Sequence, residues 1–171
     1  DDGVTLNGSI TTEDASNAAV TVASGSGTIT LGTDITIDTN VTNNDGDITL
    51  GSIDATTDHG QALTIDSGTG AVSIGVIGGT EQLDGLTVNT ADSASNSGNI
   101  TIAGIGGTGG ATYGVVGTVA VGNDATNLLT LRGTSYDTDG TTTYEAKSGT
   151  DTIKISSASA VEFITNADNI R

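Results

Sequence analysis

Hydrophobic and polar residues alternate over short stretches throughout this chain. The commonest pattern is a triplet in which two aliphatic residues flank a threonine or, once, a lysine. It occurs at Val4–Leu6, Val20–Val22, Ile35–Ile37, Leu63–Ile65, Leu86–Val88, Leu129–Leu131 and Ile153–Ile155. A period of two is typical of a β-strand with one buried face, so the aliphatic side chains are predicted to point inward and the central residues outward.

Four segments carry the same alternation between small residues that suit sharp turns. They begin at Gly27, Gly46, Gly70 and Gly98. Each follows one of the triplets above, so the sequence predicts a repeating unit of two short strands with turns between them. Glycine and asparagine in the connecting runs supply the positive φ that such corners need. Because strands this short bury little alone, we expect the units to stack as coils that pair with the coils above and below.

The pattern therefore predicts an all-β fold, a parallel β-helix or β-solenoid built from short strands. We expect one domain over residues 1–171, with regular coils at about 20–105 and looser coils at 106–171. The three tyrosines of the chain all lie in the looser part. An antiparallel sandwich is the alternative, because Asn7-Gly8 is typical of a two-residue hairpin turn.

Composition restricts the core that such a fold can build. Aromatic residues make up 2% of the chain and hydrophobic residues 34%, so the core must be thin and formed by Val, Ile, Leu and Ala. The 26 glycines and the net charge of -17 are also typical of disorder, but the regular placement of the aliphatic residues argues against it. The absence of cysteine excludes disulfides and thiolate metal ligands.

Charge and hydropathy exclude two classes of partner. With 21 acidic residues against 4 basic ones, the surface field repels nucleic acid and anionic membranes. No stretch approaches the roughly 18 apolar residues that cross a bilayer, so we expect no membrane insertion. No positively charged leader precedes an apolar segment, so an exported form is expected to have lost its signal.

Two longer segments carry a family resemblance. Gly78–Asn89, which reads GGTEQLDGLTVN and follows GAVSIG at Gly70–Gly75, resembles the repeats of giant secreted bacterial β-strand-repeat proteins of the filamentous-haemagglutinin-like type. Leu128–Tyr136, which reads LLTLRGTSY, and the residues up to Tyr144 are similar to another such repeat. The resemblance covers roughly residues 20–165. It implies a right-handed parallel β-helix at the bacterial cell surface, acting as an adhesin shaft or a matrix fibre.

Calcium is the one candidate ligand, and no cofactor is required. Asp45 and Asp47 lie around a glycine, and Asp137 and Asp139 lie just before another, so each pair places carboxylates at alternating positions. Such oxygen ligands suit Ca²⁺. The competing interpretation is ordinary corners, in which Asn and Asp side chains accept local backbone N–H groups.

Catalytic candidates are scarce. The single histidine, His59, is interpreted as a solvated corner residue, because no nucleophile, base and orienting group surround it in sequence. Arg132, Lys147 and Lys154 would form a sugar-binding cluster if consecutive coils placed them on one face. Charge relief on an acidic surface is the simpler interpretation. Since basic and aromatic residues to hold sugars are so few, we predict that the protein is not an enzyme.

The sequence therefore predicts a structural protein at the outside of a bacterial cell, either a filament subunit or an adhesin stalk. Its predicted partners are copies of itself, joined head to tail by strand pairing, because neither end shows an amphipathic capping helix. Two alternatives stay open: a carbohydrate-acting β-helix enzyme, and a donor-strand pilin with a sandwich fold.

Overall fold

The computed structural model describes residues 3–12, 17–22, 25–40, 45–90, 98–107, 113–123, 126 and 128–146, together with three strands nearer the end of the sequence. Within these residues the chain forms strands and turns and no helix. In chain order the strands are β1 Val4–Leu6, β2 Ile10–Thr11, β3 Val20–Val22, β4 Thr28–Leu31, β5 Ile35–Asp38, β6 Ile48–Leu50, β7 Ser52–Ala55, β8 Ala62–Asp66, β9 Val72–Ile77, β10 Gly85–Val88, β11 Ile100–Ile105, β12 Val119–Val121, β13 Leu128–Leu131, β14 Ser135–Asp137, β15 Thr141–Tyr144, β16 Thr152–Ile155, β17 Glu162–Ile164 and β18 Ala167–Ile170.

The described strands pair in parallel and form three columns. The first column contains β3, β6, the start of β9, the start of β11, β13 and β16. The second contains β1, β4, β7, the end of β9, the end of β11, β14 and β17. The third contains β2, β5, β8, β10, β12, β15 and β18. The chain visits the columns in this order on each coil, which confirms the predicted parallel β-solenoid.

The antiparallel alternative is wrong at the place that suggested it. Asn7-Gly8 connects β1 to β2, but these strands do not pair with each other. Instead β1 pairs with β4 and β2 pairs with β5, both in parallel. The Asn-Gly dipeptide therefore turns a corner between the second and third columns, because stacking on the next coil buries more of both strands than a hairpin would.

The repeating unit has three strands, and the prediction of two strands per unit is wrong. The segment that begins at Gly27 lies in the second column, where Ile29 pairs with Val4 and Ile53. The segments that begin at Gly46, Gly70 and Gly98 lie in the first column. In two coils the sequence does not separate the first column from the second. There β9 and β11 run through a corner without a turn, so each reads as one strand while it belongs to two columns.

Aliphatic rows along the interior of the solenoid form the core. The residues predicted to face inward are all buried: Ile29, Leu31, Ile48, Leu50, Val72, Ile74, Ile100 and Ile102. The residues between them face outward, with Ser73 exposed and Thr30, Thr49 and Thr101 half-buried. This confirms the predicted alternation. Full burial of each Ile or Leu contributes about 1.5–3 kcal/mol relative to exposure, and the rows add these contributions along the stack.

Glycines allow close approach of successive coils at the corner before the first column. Gly46, Gly70 and Gly98 stack there, and a Cβ placed on Gly70 would lie 2.5 Å from the Gly46 carbonyl oxygen. A side chain at this position would force neighbouring coils apart, which explains why glycine opens each of these three segments.

Two tyrosines replace aliphatic residues in the coil formed by β13, β14 and β15. Tyr136 is in register with Ile105, and Tyr144 is in register with Val121. Both tyrosines are buried, and their ring centroids lie 6.3 Å apart at an interplanar angle of 85°. This edge-to-face contact fills the interior where the Tyr136 and Tyr144 rows converge.

Candidate functional site

Short polar side chains on the surface form hydrogen bonds between neighbouring coils. In five places a side-chain oxygen of one coil accepts a backbone N–H of the next coil. These corner acceptors, with their donors, are Ser9 with Thr36 (2.9 Å), Asp34 with Ala62 (2.9 Å), Asp47 with Ala71 (2.8 Å), Asp54 with Thr80 (3.0 Å) and Asp58 with Gln82 (3.1 Å). In these five bonds the acceptor comes from the earlier coil, whereas at Ser67 the order is reversed, because the Ser67 N–H donates to Asn89 Oδ1 of the next coil at 2.8 Å.

The corner acceptors are the functional residues that the sequence interpretation missed as a group. Three of them directly precede a strand, namely Ser9 before Ile10, Asp34 before Ile35 and Asp47 before Ile48, whereas Asp54 lies within β7 and Asp58 in the turn that follows it. An acceptor there completes the hydrogen bonding of an N–H at which the strand ladder ends. Each such bond contributes about 1 kcal/mol. Much of the acidic character of the chain therefore has a structural use.

The first pair of calcium candidates takes part in this corner bonding. Asp45 Oδ2 accepts a hydrogen bond from the Thr69 hydroxyl at 2.7 Å, and Asp47 Oδ1 accepts the Ala71 N–H at 2.8 Å. In the same corner the Asn40 side-chain amide donates to Asp66 Oδ1 at 3.1 Å. These contacts match the corner interpretation that competed with calcium binding.

The second pair lies in a later coil, on and just after β14. Asp137 is 2% exposed and accepts a hydrogen bond from the Ser135 hydroxyl at 2.8 Å through Oδ2. Its Oδ1 has no hydrogen-bond partner within the described part of the chain. Asp139 donates its backbone N–H to the Val115 carbonyl at 3.0 Å. The two coils that contain β9 and β11 separate this pair from Asp45 and Asp47.

No metal centre is visible in the described ranges. Among these residues, no group of three or more His, Cys, Asp or Glu side chains is arranged to hold a metal ion. Calcium binding at Asp45, Asp47, Asp137 and Asp139 therefore stays a prediction from the sequence.

His59 occupies an exposed turn between β7 and β8, with a φ of 60°. Its backbone N–H donates to the Gln82 carbonyl at 3.0 Å, and its ring Nε2 is hydrogen-bonded to the Gln82 side-chain oxygen. Asp58, next to it, accepts the Gln82 N–H. These hydrogen bonds connect the turn to Gln82 of the next coil, which is a structural role for the histidine.

Of the three basic candidates, the structure describes the side chain of Arg132 alone. Arg132 is exposed, and its backbone N–H donates to the Ile102 carbonyl at 2.9 Å. Lys147 lies outside the described residues, and Lys154 is placed only by its pairing with Thr130. The sugar-binding cluster of these three residues stays a prediction.

A shallow recess of about 220 Å³ lies on the outer face of the second column. Its lining consists of small or apolar residues: Val76, Gly79, Ala103, Gly104, Gly106, Gly107, Thr134 and Ser135. None of these side chains is titratable, so the recess supplies hydroxyl groups and apolar contacts but no acid or base for hydrolysis. The polysaccharide-cleaving alternative finds no pair of carboxylates in it.

Tyr136 is the described group whose ionisation the fold changes most clearly. Burial raises the pKa of the Tyr136 hydroxyl, and hydrogen bonds with the backbone at Gly133 and Arg132 partly oppose this. The hydroxyl accepts the Gly133 N–H at 2.9 Å and donates to the Ile102 carbonyl at 3.1 Å. These bonds connect two successive coils through the interior, which is a structural use of a titratable group.

Within the described residues, no helix has the length and hydropathy to cross a membrane.

Comparison with protein-family models, with curated proteins and with solved structures finds no match for this chain. The resemblance to secreted β-strand repeats therefore depends on the segments quoted above, and the function must be argued from the geometry.

Proposed function

We propose that this protein is a non-enzymatic structural element at the outside of a bacterial cell, a filament subunit or an adhesin stalk. Its copies join head to tail by strand pairing. The observation that carries this proposal is the repetition of aliphatic rows in register from coil to coil, because a coil from another copy would continue the same rows. The extracellular location rests on the resemblance to secreted repeats.

Within the described part of the chain, the inward residues of the first coil contact a neighbouring coil on one side only. Val4 is 39% exposed, whereas Ile29, its partner in the next coil, is 1% exposed. Leu6 and Ile10 are half-buried, although the residues that continue their rows are fully buried. Burying such an edge against a matching coil would gain roughly 25 cal/mol for each Å² of apolar surface.

The backbone of β1 also favours addition of a strand. The Leu6 carbonyl accepts the Gly32 N–H of the next coil at 2.8 Å. Because successive residues of a strand direct their backbone groups to opposite neighbours, the N–H and C=O of Thr5 point away from β4. These groups can pair with a strand from another copy.

Strand pairing between copies would continue the columns. The last described strands of the three columns are β16, β17 and β18, and the first are β3, β1 and β2, so each column of one copy would meet the same column of the next. Contact between unlike faces is heterologous and gives an open filament. A net charge of -17 opposes sideways clumping of such filaments.

The test is the concentration dependence of assembly, measured by light scattering after size-exclusion chromatography and by electron microscopy. Thr5→Pro removes an N–H that points to the open side, and Val4→Asp places a charge in the joint. We expect both variants to lose filaments while their circular dichroism spectra stay unchanged.

Ser73→Asp is the matched control, because Ser73 is exposed on a side face, away from the joint. It adds the same charge as Val4→Asp and should leave filaments intact. A wild-type chain that stays monomeric at high concentration would contradict the proposal, as would equal effects of Val4→Asp and Ser73→Asp.

Calcium at the Asp45 corner is a secondary proposal. The corner is rich in oxygen: a Cβ on Gly68 would lie 2.6 Å from Asn40 Oδ1, and Asp45 Oδ1 lies on the same side. Calcium titration of the wild type and of Asp45→Asn, followed by thermal unfolding, tests it. A calcium-dependent rise in the midpoint that survives Asp45→Asn would exclude this corner.

A further inference from the structure

We propose that Asn7 is a site of spontaneous modification, at which the side-chain amide is lost and the main chain is converted largely to isoaspartate. The sequence contains one Asn-Gly dipeptide, and it lies at residues 7 and 8. The solenoid puts it at the corner between β1 and β2, where its hairpin role is absent.

The reaction needs only the chain and water. The backbone nitrogen of Gly8 attacks Cγ of Asn7, a nitrogen–carbon bond forms, and the side-chain nitrogen leaves as ammonia together with the Gly8 amide proton. The product is a five-membered succinimide. Water then opens the ring at either carbonyl, which gives aspartate or isoaspartate. In total one water is consumed and one ammonia is released.

The structure provides the freedom that the attack requires. Asn7 and Gly8 are both exposed, and a Cβ placed on Gly8 would meet no atom within 4 Å. The Asn7 side chain lies against Gly32 of the next coil, where an added Cβ would collide with Asn7 Oδ1, but its amide has no hydrogen-bond partner in the described part of the chain. Glycine at the attacking position removes the Cβ that would crowd the nitrogen and widens its range of φ and ψ.

Two aspartyl-glycine pairs, which reach the same succinimide by loss of water, are held far more closely, whereas a Cβ placed on Gly85, after Asp84, would meet no atom nearer than 3.6 Å. A Cβ on Gly46, after Asp45, would collide with the Ala18 carbonyl, and one on Gly140, after Asp139, would collide with the Gly117 carbonyl. Packing of the neighbouring coil against these glycines restricts the backbone rotation that ring closure needs. Packing therefore separates Asn7 from the pairs at Gly46 and Gly140, and chemistry separates it from Asp84, because an ionised carboxylate is a poorer electrophile than an amide.

The product changes the edge of the solenoid. Isoaspartate adds one methylene to the main chain between β1 and β2, beside the Leu6 carbonyl that accepts the Gly32 N–H and close to Ser9, which accepts the Thr36 N–H. We expect these two N–H groups to lose hydrogen-exchange protection. If the head-to-tail proposal holds, the modification would also weaken the joint with age, since β1 forms the open edge.

The experiment is incubation of the whole folded chain at mildly alkaline pH, followed by peptide mapping with mass spectrometry and enzymatic methylation of isoaspartyl groups. Asn99, which is exposed but followed by Ile100, is the internal reference. We expect most of Asn7 to be converted while Asn99 keeps its amide. Because the corner is open, Asn7 should react less than about threefold more slowly in the folded chain than in urea.

Gly8→Ala is the matched variant, because open space and the absence of a positive φ at Gly8 allow the extra methyl group. It should fold normally and slow the loss of the Asn7 amide strongly. Equal rates for Asn7 and Asn99, or strong protection of Asn7 by folding, would overturn the proposal. These readouts are chemical, so they do not depend on whether filaments form.

Discussion

The inward row of the second column changes character along the stack. It runs through Ile29, Ile53, Ile77 and Ile105, and it then reaches Tyr136 in the coil of β13, β14 and β15, here called the tyrosine coil. The coils before it, from β3 to β11, are called the aliphatic coils. Branched aliphatic residues in register repeat one shape, so each aliphatic coil is packed by an almost identical neighbour.

The tyrosine coil replaces this repetition with hydrogen bonds inside the solenoid. Tyr136 bonds to Gly133 and Ile102 through its hydroxyl. Thr142, which continues a row of aliphatic residues in the third column, shares a hydrogen bond of 2.6 Å with the hydroxyl of Thr138. The same solenoid cross-section therefore accommodates two kinds of interior. One is fixed by the shape of apolar side chains alone, and the other also depends on polar contacts.

The largest expected effect comes from a charge in the aliphatic interior. Ile74→Asp buries an unpaired carboxylate at a position that is 2% exposed, and we expect a loss of about 4 kcal/mol or more in the free energy of unfolding. Ser73→Asp adds the same charge one residue away on the outer face and should cost less than about 0.5 kcal/mol. Urea denaturation measures both. Similar losses would mean that the assigned faces are wrong.

The second prediction isolates the polar contribution of the tyrosine coil. Tyr136→Phe keeps the ring and removes the hydroxyl, which leaves the Gly133 N–H without this acceptor. We expect a loss of about 1–2 kcal/mol by urea denaturation. Thr101→Ser, on the outer face of an aliphatic coil, is the control and should be nearly neutral. An unchanged stability for Tyr136→Phe would show that the tyrosine ring alone, through its shape, supports this coil.

Alkaline pH should separate the two regions further. Burial raises the pKa of Tyr136 in the folded chain, whereas a tyrosine in the unfolded chain ionises near pH 10. Below about pH 10 both states keep the proton and the stability is fully present. As the pH rises above that value, the unfolded state loses its proton first, so unfolding becomes more favourable. The denaturation midpoint should therefore fall more steeply for the wild type than for Tyr136→Phe as the pH rises above about 10.

The same comparison explains how far the sequence could predict the fold. Alternation around Thr30 or Thr49 was enough for the strands, their inward faces and the parallel solenoid, because a period of two is a local property. It could not assign a strand to a column, since all three columns carry the same kind of triplet. Only the register, in which Ile29 meets Ile53 and Ile48 meets Val72, reveals three strands per coil.

The candidate site was less predictable than the fold, for a physical reason. Asp45 and Asp47 were correctly placed at a corner, but the groups that they contact belong to the following coil, at Thr69 and Ala71. In the sequence, a carboxylate that accepts an N–H from the next coil cannot be distinguished from one that binds a cation. Coil lengths are uneven, so the partner of a corner residue cannot be counted from the sequence.

The smallest expected effect comes from a single corner acceptor. Asp54 Oδ1 accepts the Thr80 N–H at 3.0 Å and the Glu81 N–H at 3.4 Å, both from the next coil. Asp54→Ala leaves two donors to be satisfied by water, and we expect a loss of about 1 kcal/mol, because the site is only partly buried. Asp54→Asn keeps an acceptor oxygen and should recover most of it. Asp84→Ala, which removes an exposed carboxylate, controls for the change in net charge.

Hydrogen exchange at Thr80 gives a second measurement of the effect of Asp54. The protection of the Thr80 N–H should fall in Asp54→Ala and persist in Asp84→Ala. If instead both alanine variants changed stability equally, relief of charge repulsion and not corner bonding would explain the acidic residues of the aliphatic coils.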